Sequence, residues 1–270
     1  MTREPWRFID SGPRPGAENM AVDEAMFEAH AGGEVPPTLR IYTWRPAAVS
    51  LGRFQRAESS VDLDACRRLG IDVVRRPTGG RAILHTEEEV TFSIAVSEKR
   101  LGTKGVMAAY RALAMGIVAG LRTLHLDARL VERSAPSAAP AMAQDPACFA
   151  VKARCDLVVG SSKLVGSAQV QRNGFILQQN SLPLRLQTQD WERVFIRKSR
   201  EPAATGLWEA AHNEIPYAQV AAALRQGFSE ALGITFEEAH ICEREHTRAR
   251  TLAQPSGVPG NALESGVPPV

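Results

Sequence analysis

Apolar residues recur every three to four positions in three stretches of the chain, which is the spacing of one face of an α-helix. The first stretch covers about 17–29 and is followed by Gly32-Gly33, and the clearest one covers about 103–124. The third covers about 217–228, with Pro216 before it and Gly233 after it. Proline at the start and glycine just past the end are typical of helix termini, so three amphipathic helices are predicted.

Alternating apolar and polar positions predict strands between these helices. Six strands are predicted, at 39–44, 71–74, 90–96, 156–159, 163–172 and 175–184. A short helix is also predicted near 63–69. The last three are separated only by the turn pairs Gly160-Ser161 and Asn173-Gly174, which indicates an antiparallel meander. Because hairpins and helices mix without strict alternation, we expect an α+β (mixed α/β) fold with largely antiparallel or mixed sheets flanked by helices.

Composition limits the number of domains and the kinds of partner. Hydrophobic residues make up 44% of the 270 positions, which suits one large domain or two small ones. We expect a single domain over 1–253, followed by a disordered tail in the Pro/Gly/Ser-rich segment 254–270. The charged amino terminus lacks an apolar signal, and the longest apolar stretch, 112–121, is too short to span a bilayer. We therefore expect a cytoplasmic monomer that binds neither membrane nor, with a net charge of only +2, nucleic acid.

The first candidate site is the segment 75–81, Arg-Arg-Pro-Thr-Gly-Gly-Arg, which lies between two predicted strands. Two glycines allow backbone N–H groups to approach a ligand, and arginines offer forked donors to oxygen atoms. The alternative is a surface hairpin with solvated arginines, and the histidine that follows the segment is either a base or a hydrogen-bonded structural group. We favour ligand binding by Arg75, Arg76, Thr78, Gly79, Gly80 and His85.

The second candidate is Cys148, which follows an Ala/Pro/Ser-rich loop over 134–147. The four cysteines lack metal-site spacing and are expected as thiols, and most such residues are buried small hydrophobes. A nearby cation would lower the pKa of the Cys148 thiol and make it a nucleophile. Cys66, Cys155 and Cys242 are interpreted as core or incidental residues.

Lys163 is the candidate cation, although a lysine after a Gly-Ser-Ser turn is most often a solvated turn residue. It begins a strand whose small side chains leave room for a ligand against the sheet. These small residues, also predicted to bind substrate, are Gly166, Ser167 and Ala168.

Taken together, these segments resemble the lipoate–protein ligase A family of the biotin/lipoate ligase superfamily, from about residue 6 to 236. Residues 75–80 with His85 look like the family's RRPTGG…H signature. Residues 156–168, which include Lys163, look like the family's strand with the pattern K-[IL]-[AV]-G-S-A. The GRGRxG signature of biotin ligases is absent. Cys148-Phe149 after the loop is similar to the LipM-type octanoyltransferases of the family, which carry a nucleophilic cysteine there.

The resemblance implies a biotin/lipoate ligase-like catalytic domain that takes an octanoyl group from octanoyl acyl carrier protein onto Cys148 as a thioester. Lys163 would activate the thiol, and a lysine of a lipoyl domain, such as that of the glycine cleavage H protein, would accept the group. A thioester is already activated, so no ATP, metal or other cofactor is expected. The alternatives are an ATP-dependent lipoate–protein ligase, an octanoyl amidotransferase between H protein and dehydrogenase lipoyl domains, and a non-catalytic module that docks lipoyl domains.

Overall fold

The computed structural model describes residues 5–132, 155–186, 188–196 and 204–253. Cys148, the loop 134–147 before it and the tail 254–270 lie outside the described residues, so the predictions made for them remain predictions.

Strands and helices alternate irregularly along the chain, as the residue pattern predicts. The strands are β1 (Trp6–Arg14), β2 (Thr38–Trp44), β3 (Ala48–Leu51), β4 (Asp72–Arg75), β5 (Ile83–His85), β6 (Glu89–Ser97), β7 (Ala128–Glu132), β8 (Cys155–Val159), β9 (Ser162–Arg172), β10 (Phe175–Pro183) and β11 (Phe236–Glu238). The helices are α1 (Gly16–Ala31), α2 (Leu63–Arg68), α3 (Glu98–Leu101), α4 (Val106–Thr123), α5 (Thr188–Val194), α6 (Leu207–Ala211), α7 (Tyr217–Leu232) and α8 (Glu243–Ala253).

The strands form two mixed sheets. In the large sheet the order is β11-β1-β2-β6-β10-β9-β8-β7, with parallel pairing among β11, β1 and β2 and antiparallel pairing from β2 onward. In the small sheet, β3 lies between β4, which is parallel to it, and β5, which is antiparallel. The expected fold class, with mixed sheets flanked by helices, is confirmed.

The two faces of the large sheet differ in polarity. On one face, Phe92 and Ile94 of β6 belong to the main apolar core with α4 and α7. On the other face, Arg40 of β2 and Ser93 of β6 hydrogen-bond to Asp23 of α1. Strand alternation places these two sets on opposite sides. The polar face, next to α1 and the small sheet, is therefore the side on which a polar ligand site can form.

The structure corrects the expected character of two helices. The helix predicted at 17–29 is confirmed as α1, but Ala25, Met26 and Ala29 have no exposed surface, and α8 covers its outer side. It is a buried central helix rather than an amphipathic surface helix. In α4 the predicted apolar stripe is buried at Leu113, Ile117 and Leu121, whereas Val106 at its start is 51% exposed.

Across the described ranges, no helix combines the length and the apolar character that a membrane span requires.

The meander is confirmed with the turn chemistry that the sequence predicts. Asn173 and Gly174 join β9 to β10 with φ of 52° and 78°, left-handed values that match the right-handed twist of a tight hairpin. The parts not predicted are β1, β3, β5, β7, β11 and the helices α3, α5, α6 and α8. Most of them are short, and short elements give too few positions for a period to show.

A buried ion pair ties β1 to α8. The guanidinium of Arg7 donates to both carboxylate oxygens of Glu245, at 2.9 and 2.6 Å, and the backbone N–H of Cys242 donates to the same carboxylate at 2.8 Å. Burial by itself raises the pKa of Glu245, but these hydrogen bonds and the charge of Arg7 outweigh it, so the pKa lies below its ordinary value. The carboxylate is therefore charged at neutral pH and holds α8 against the sheet.

We predict that Glu245→Gln lowers the free energy of unfolding by roughly 3 kcal/mol at neutral pH, because Arg7 stays buried without its counter-charge. The folded-state pKa is depressed, so this contribution is complete above the unfolded pKa of about 4.3 and is lost as the pH falls through the folded value. Urea unfolding of the wild type and the variant between pH 3 and 7 measures it. A difference that stays constant across this range would contradict the prediction.

Candidate active site

A narrow cavity lies between the polar face of the large sheet and the small sheet. Its volume is about 20 Å³, room for about one water molecule. The wall includes two predicted signature residues, Arg76 and His85, and the predicted small residues Gly166 and Ala168. The structure thus brings both predicted segments to one place. The remaining wall residues are Met20, Tyr42, Trp44, Ser50, Ile83, Thr91, Gln179, Asn180 and Ser181.

The signature segment does not form a hairpin. β4 and β5 both pair with β3, so the chain between them crosses over that strand. Arg76 is only 3% exposed and donates to the carbonyl oxygens of Ser50 (2.9 Å), Gly79 (2.6 Å) and Arg81 (2.7 Å). The hairpin of the alternative is therefore wrong, and so is solvation of Arg76, whereas Arg75 is exposed. A ligand-binding role for Arg76 stays a prediction, since these bonds show it shaping the loop.

Arg75 holds a second loop, residues 52–57, which connects β3 to the segment before α2. Its Nη1 donates to three backbone carbonyls, those of Gly52 (3.0 Å), Arg53 (3.1 Å) and Gln55 (2.7 Å). The predicted ligand-binding role of Arg75 likewise stays a prediction. Its observed contacts bind protein carbonyls and fix the shape of the 52–57 loop.

The two glycines of the signature segment, Gly79 and Gly80, have different steric surroundings. Gly80 has φ of 88°, a left-handed conformation that favours glycine. Gly52 packs directly against it, since a Cβ on Gly52 would lie 2.0 Å from the Gly80 carbonyl oxygen. Gly79 has open space where a Cβ would be. The Gly79–Gly80 turn is therefore fixed by the contact with Gly52, and the predicted ligand-binding role of Gly79 and Gly80 stays a prediction.

His85 belongs to a buried chain of hydrogen-bonded side chains. Its Nε2 lies 2.7 Å from Ser50 Oγ and its Nδ1 lies 2.8 Å from Glu89 Oε1. The Glu89 carboxylate accepts from Nδ1–H, so in neutral imidazole Nε2 is the acceptor and the Ser50 hydroxyl, which accepts from Arg76 at 3.1 Å, donates to it. Trp44 stacks on the ring with centroids 4.0 Å apart. The histidine is thus held in one orientation in the cavity wall.

Gln179 connects the signature segment to the centre of the protein. It accepts a hydrogen bond from Thr78 Oγ1 (2.8 Å) and donates one to Asp23 Oδ2 (2.7 Å). Thr78, a predicted site residue, is completely buried and acts through this bond. Gln179 is not among the site residues predicted from the sequence. A signal for it exists, because 178–181 reads Gln-Gln-Asn-Ser in the middle of an otherwise apolar strand.

Lys163 is buried, so the alternative of a solvated turn residue is wrong. Its Nζ lies 3.1 Å from Asp156 Oδ1, and the two side chains are only 5% and 1% exposed. A buried lysine opposite a buried carboxylate is a costly arrangement that active sites often contain. Ser167, in contrast, alternates away from Gly166 and Ala168 and is not part of the cavity wall. Its predicted contact with substrate in this cavity has no support from its position.

Two of the other cysteines lie in the interior, and one is partly exposed. Cys66 is 1% exposed, and its pKa is raised to about 11, chiefly by burial and also by the charge of Asp62. It is therefore a protonated thiol at neutral pH, as its interpretation as a core residue requires. Cys155 is buried at the start of β8, and Cys242 is partly exposed before α8.

Comparison with known proteins identifies the family. The model of the lipoyl protein ligase A/B catalytic domain matches residues 15–229. Octanoyltransferase LipM of Symbiobacterium thermophilum is 41% identical over 261 residues, which cover 92% of this chain and 94% of that protein. The chain therefore belongs to the lipoyl protein ligase A/B catalytic-domain family, and the resemblance carried by its two signatures is confirmed.

Two solved structures share the fold. The structure of lipoate-protein ligase A bound with ATP has a TM-score of 0.79 and 28% identity, covering 93% of this chain and 95% of that one. The second comes from a structural analysis of an archaeal lipoylation system, a bipartite lipoate protein ligase and its E2 lipoyl domain from Thermoplasma acidophilum. It has a TM-score of 0.74 and 26% identity and covers 94% of this chain and 93% of that one.

The contact between Gly52 and Gly80 generates a prediction with a matched control. Gly52→Ala places a methyl group against a backbone oxygen that cannot move cheaply, so we expect a loss of about 1–3 kcal/mol in the free energy of unfolding. Gly79→Ala, which meets open space, is expected to change it by less than about 0.5 kcal/mol. Urea unfolding compares them, and equal losses would show that the contact does not constrain the turn.

Proposed function

We propose that this protein transfers an octanoyl group from octanoyl acyl carrier protein, through a thioester on Cys148, to a lysine of a lipoyl domain. The observation that carries the proposal is the match of nearly the whole chain to octanoyltransferases of the LipM type, at 41% identity for the relative from Symbiobacterium thermophilum. The protein is thus an acyltransferase of lipoate biosynthesis. Cys148, the donor and the glycine cleavage H protein as acceptor are the finer parts of the proposal, and so is a cytoplasmic location.

In the first step the Cys148 thiolate attacks the carbonyl carbon of the donor thioester. A new C–S bond forms to Cys148, the bond to the carrier's sulfur breaks, and that sulfur takes up a proton. Lys163 supports the step because an ammonium group near a thiol favours the thiolate. The Lys163–Asp156 ion pair supplies such a group within the interior of the fold.

In the second step the neutral ε-amine of the acceptor lysine attacks the thioester carbon. An amide bond forms, the Cys148 sulfur leaves as thiolate, and the amine loses its proton to a base. Negative charge develops on the acyl oxygen in both steps. Backbone N–H groups near Gly79 and Gly80, in a turn held by Gly52 and Arg76, would stabilise that oxygen.

The cavity between the sheets is the proposed site of the acyl chain. Complete burial of seven methylene-sized groups contributes at most about 5–6 kcal/mol, which could hold the chain without a charged anchor. A volume of about 20 Å³ is too small for the chain as it stands. Side chains of the wall must therefore move on binding. Met20 is suited to do so, because an unbranched thioether adapts its shape more easily than its neighbours Tyr42 and Trp44.

An ATP-dependent ligase is the second candidate, favoured by the fold shared with a lipoate-protein ligase A bound with ATP. Such an enzyme would form an acyl-adenylate and would not need Cys148. Since the two candidates differ in their need for ATP and for a thiol, one assay separates them.

The test is incubation of the protein with octanoyl acyl carrier protein in the absence of ATP, followed by measurement of intact mass. We expect an octanoyl adduct in the wild type that is absent in Cys148→Ala. Cys242→Ala is the matched control, because this partly exposed thiol lies outside the site and should leave the adduct intact. No adduct, combined with ATP-dependent labelling of the acceptor, would exclude the transferase. Exchanging donor and acceptor proteins distinguishes transfer from amidotransfer.

Asp156→Asn tests the role of Lys163 with almost no change in shape. Loss of the paired carboxylate removes the charge that orients the ammonium group, so formation of the octanoyl adduct should slow by at least about tenfold. Rapid-quench mass spectrometry over a range of pH measures the rate. A variant that is stably folded and forms the adduct at the wild-type rate would show that the pair has no part in the reaction.

A further inference from the structure

The most exposed large apolar side chain in the described part of the molecule is Phe54, at 88% exposure. It lies in the 52–57 loop between two exposed arginines, Arg53 and Arg56, and the guanidinium of Arg53 is 5.8 Å from its ring centroid. Exposing a phenylalanine gains nothing for the fold itself. Aromatic and arginine side chains together are, however, the residues that dominate the binding energy of protein interfaces.

The loop is held in one shape before any partner binds. Arg75 Nη1 contacts three of its carbonyls, and the loop closes on itself through Gln55 N–H to the Gly52 carbonyl and Gly52 N–H to Gln55 Oε1. The Arg53 N–H donates to the Thr78 carbonyl of the signature segment at 2.9 Å. A preorganised loop loses little conformational entropy on binding, which favours a docking role.

The loop also lies beside the reaction site. Gly52 packs on the Gly80 carbonyl, and Gly80 approaches Ala168 of the cavity wall, with 3.9 Å between a Cβ on Gly80 and the Ala168 Cβ. A protein that contacts Phe54 would therefore stand next to the Gly79–Gly80 turn. This position suits the acceptor, because a lysine side chain is short and its domain must approach closely. The acyl group of a carrier protein sits on a long phosphopantetheine arm, so that protein can remain farther away.

The charge of the loop indicates what kind of surface it fits. Arg53, Arg56 and the nearby Arg81 form no ion pair with any residue in the described ranges, and Glu58 is the acidic residue of the adjoining segment. A partner that places carboxylates around an apolar depression would complement both the ring and the guanidinium groups.

We propose that the 52–57 loop, with Phe54 at its centre, is the docking element for the acceptor lipoyl domain, and that this domain would present carboxylates around its reactive lysine. This inference rests on the proposed function for the identity of the acceptor. It assigns the loop to recognition of the acceptor and not to binding of the acyl chain or loading from the donor.

The experiment uses the full chain, octanoyl acyl carrier protein and recombinant glycine cleavage H protein that lacks its lipoyl group. Three quantities are measured: the rate of octanoyl loading, the rate of transfer from loaded enzyme against H-protein concentration, and the Kd of H protein for unloaded enzyme. Hydroxylamine serves as a small nucleophile that needs no docking. Phe54→Ala is compared with Phe54→Tyr, which keeps the ring, and with Met115→Ala, which removes a 47% exposed side chain from α4 on the opposite face of the large sheet.

Phe54→Ala should raise the Kd and the half-saturating concentration of H protein by at least about tenfold, the effect of truncating a central aromatic contact. Loading, the limiting rate of transfer and the reaction with hydroxylamine should not change. Phe54→Tyr and Met115→Ala should match the wild type. Arg56→Glu should also weaken H-protein binding, and its effect should shrink at high salt.

An unchanged Kd in Phe54→Ala, or a loading rate that falls in parallel with transfer, would overturn the docking inference while the transferase proposal stands. If the wild type binds H protein through Phe54 but is never loaded, the proposed reaction fails and the docking inference stands. Absence of both loading and binding in the wild type overturns both.

Discussion

Asp23 and Arg40 form an ion pair whose side chains are completely buried, and much of the polar half of the protein is arranged around it. Removing either partner would leave an uncompensated charge in the interior at a cost of about 3–5 kcal/mol. In the intact protein the buried carboxylate is fully compensated, because each Asp23 oxygen accepts two hydrogen bonds. The donors are Arg40, Tyr42, Ser93 and Gln179. Burial, together with the charge of Asp23, raises the pKa of Tyr42 well above its ordinary value, so its hydroxyl remains a donor.

This pair has consequences beyond α1 and β2 because Gln179 extends the network to Thr78. The position of the signature segment is thereby set from the centre of the molecule, and Arg76 sets the segment's own shape. The carboxylate of Asp23 fixes Gln179, Gln179 fixes Thr78, and the Gly79–Gly80 turn follows directly. Hydrogen bonds of this kind lock a single arrangement, which an apolar core of the same volume would specify less sharply. A site that has to stabilise a developing charge gains from this rigidity.

The sequence predicts the long, periodic elements and the residues that carry the family signatures. Helices α4 and α7 and the meander from β8 to β10 follow from spacing and turn residues, because their own side chains determine them. The buried character of α1 could not be predicted in that way, since it depends on α8, which comes more than 200 residues later in the chain. The same limit applies to the site. Arg75 and Arg76 are recognisable as a motif, but their contacts with carbonyls of residues 50–55 depend on how β3, β4 and β5 come together.

The small volume of the cavity also bears on how long an acyl-enzyme would survive. A thioester that waits for its acceptor is lost if a water molecule reaches its carbonyl carbon first. An acyl chain bound there would displace side chains, fill the space between the two sheets and leave no room for a water molecule. The closely packed walls would then admit few water molecules in its place. The same close packing that makes entry slow would therefore direct the thioester toward the amine of a docked partner and away from hydrolysis.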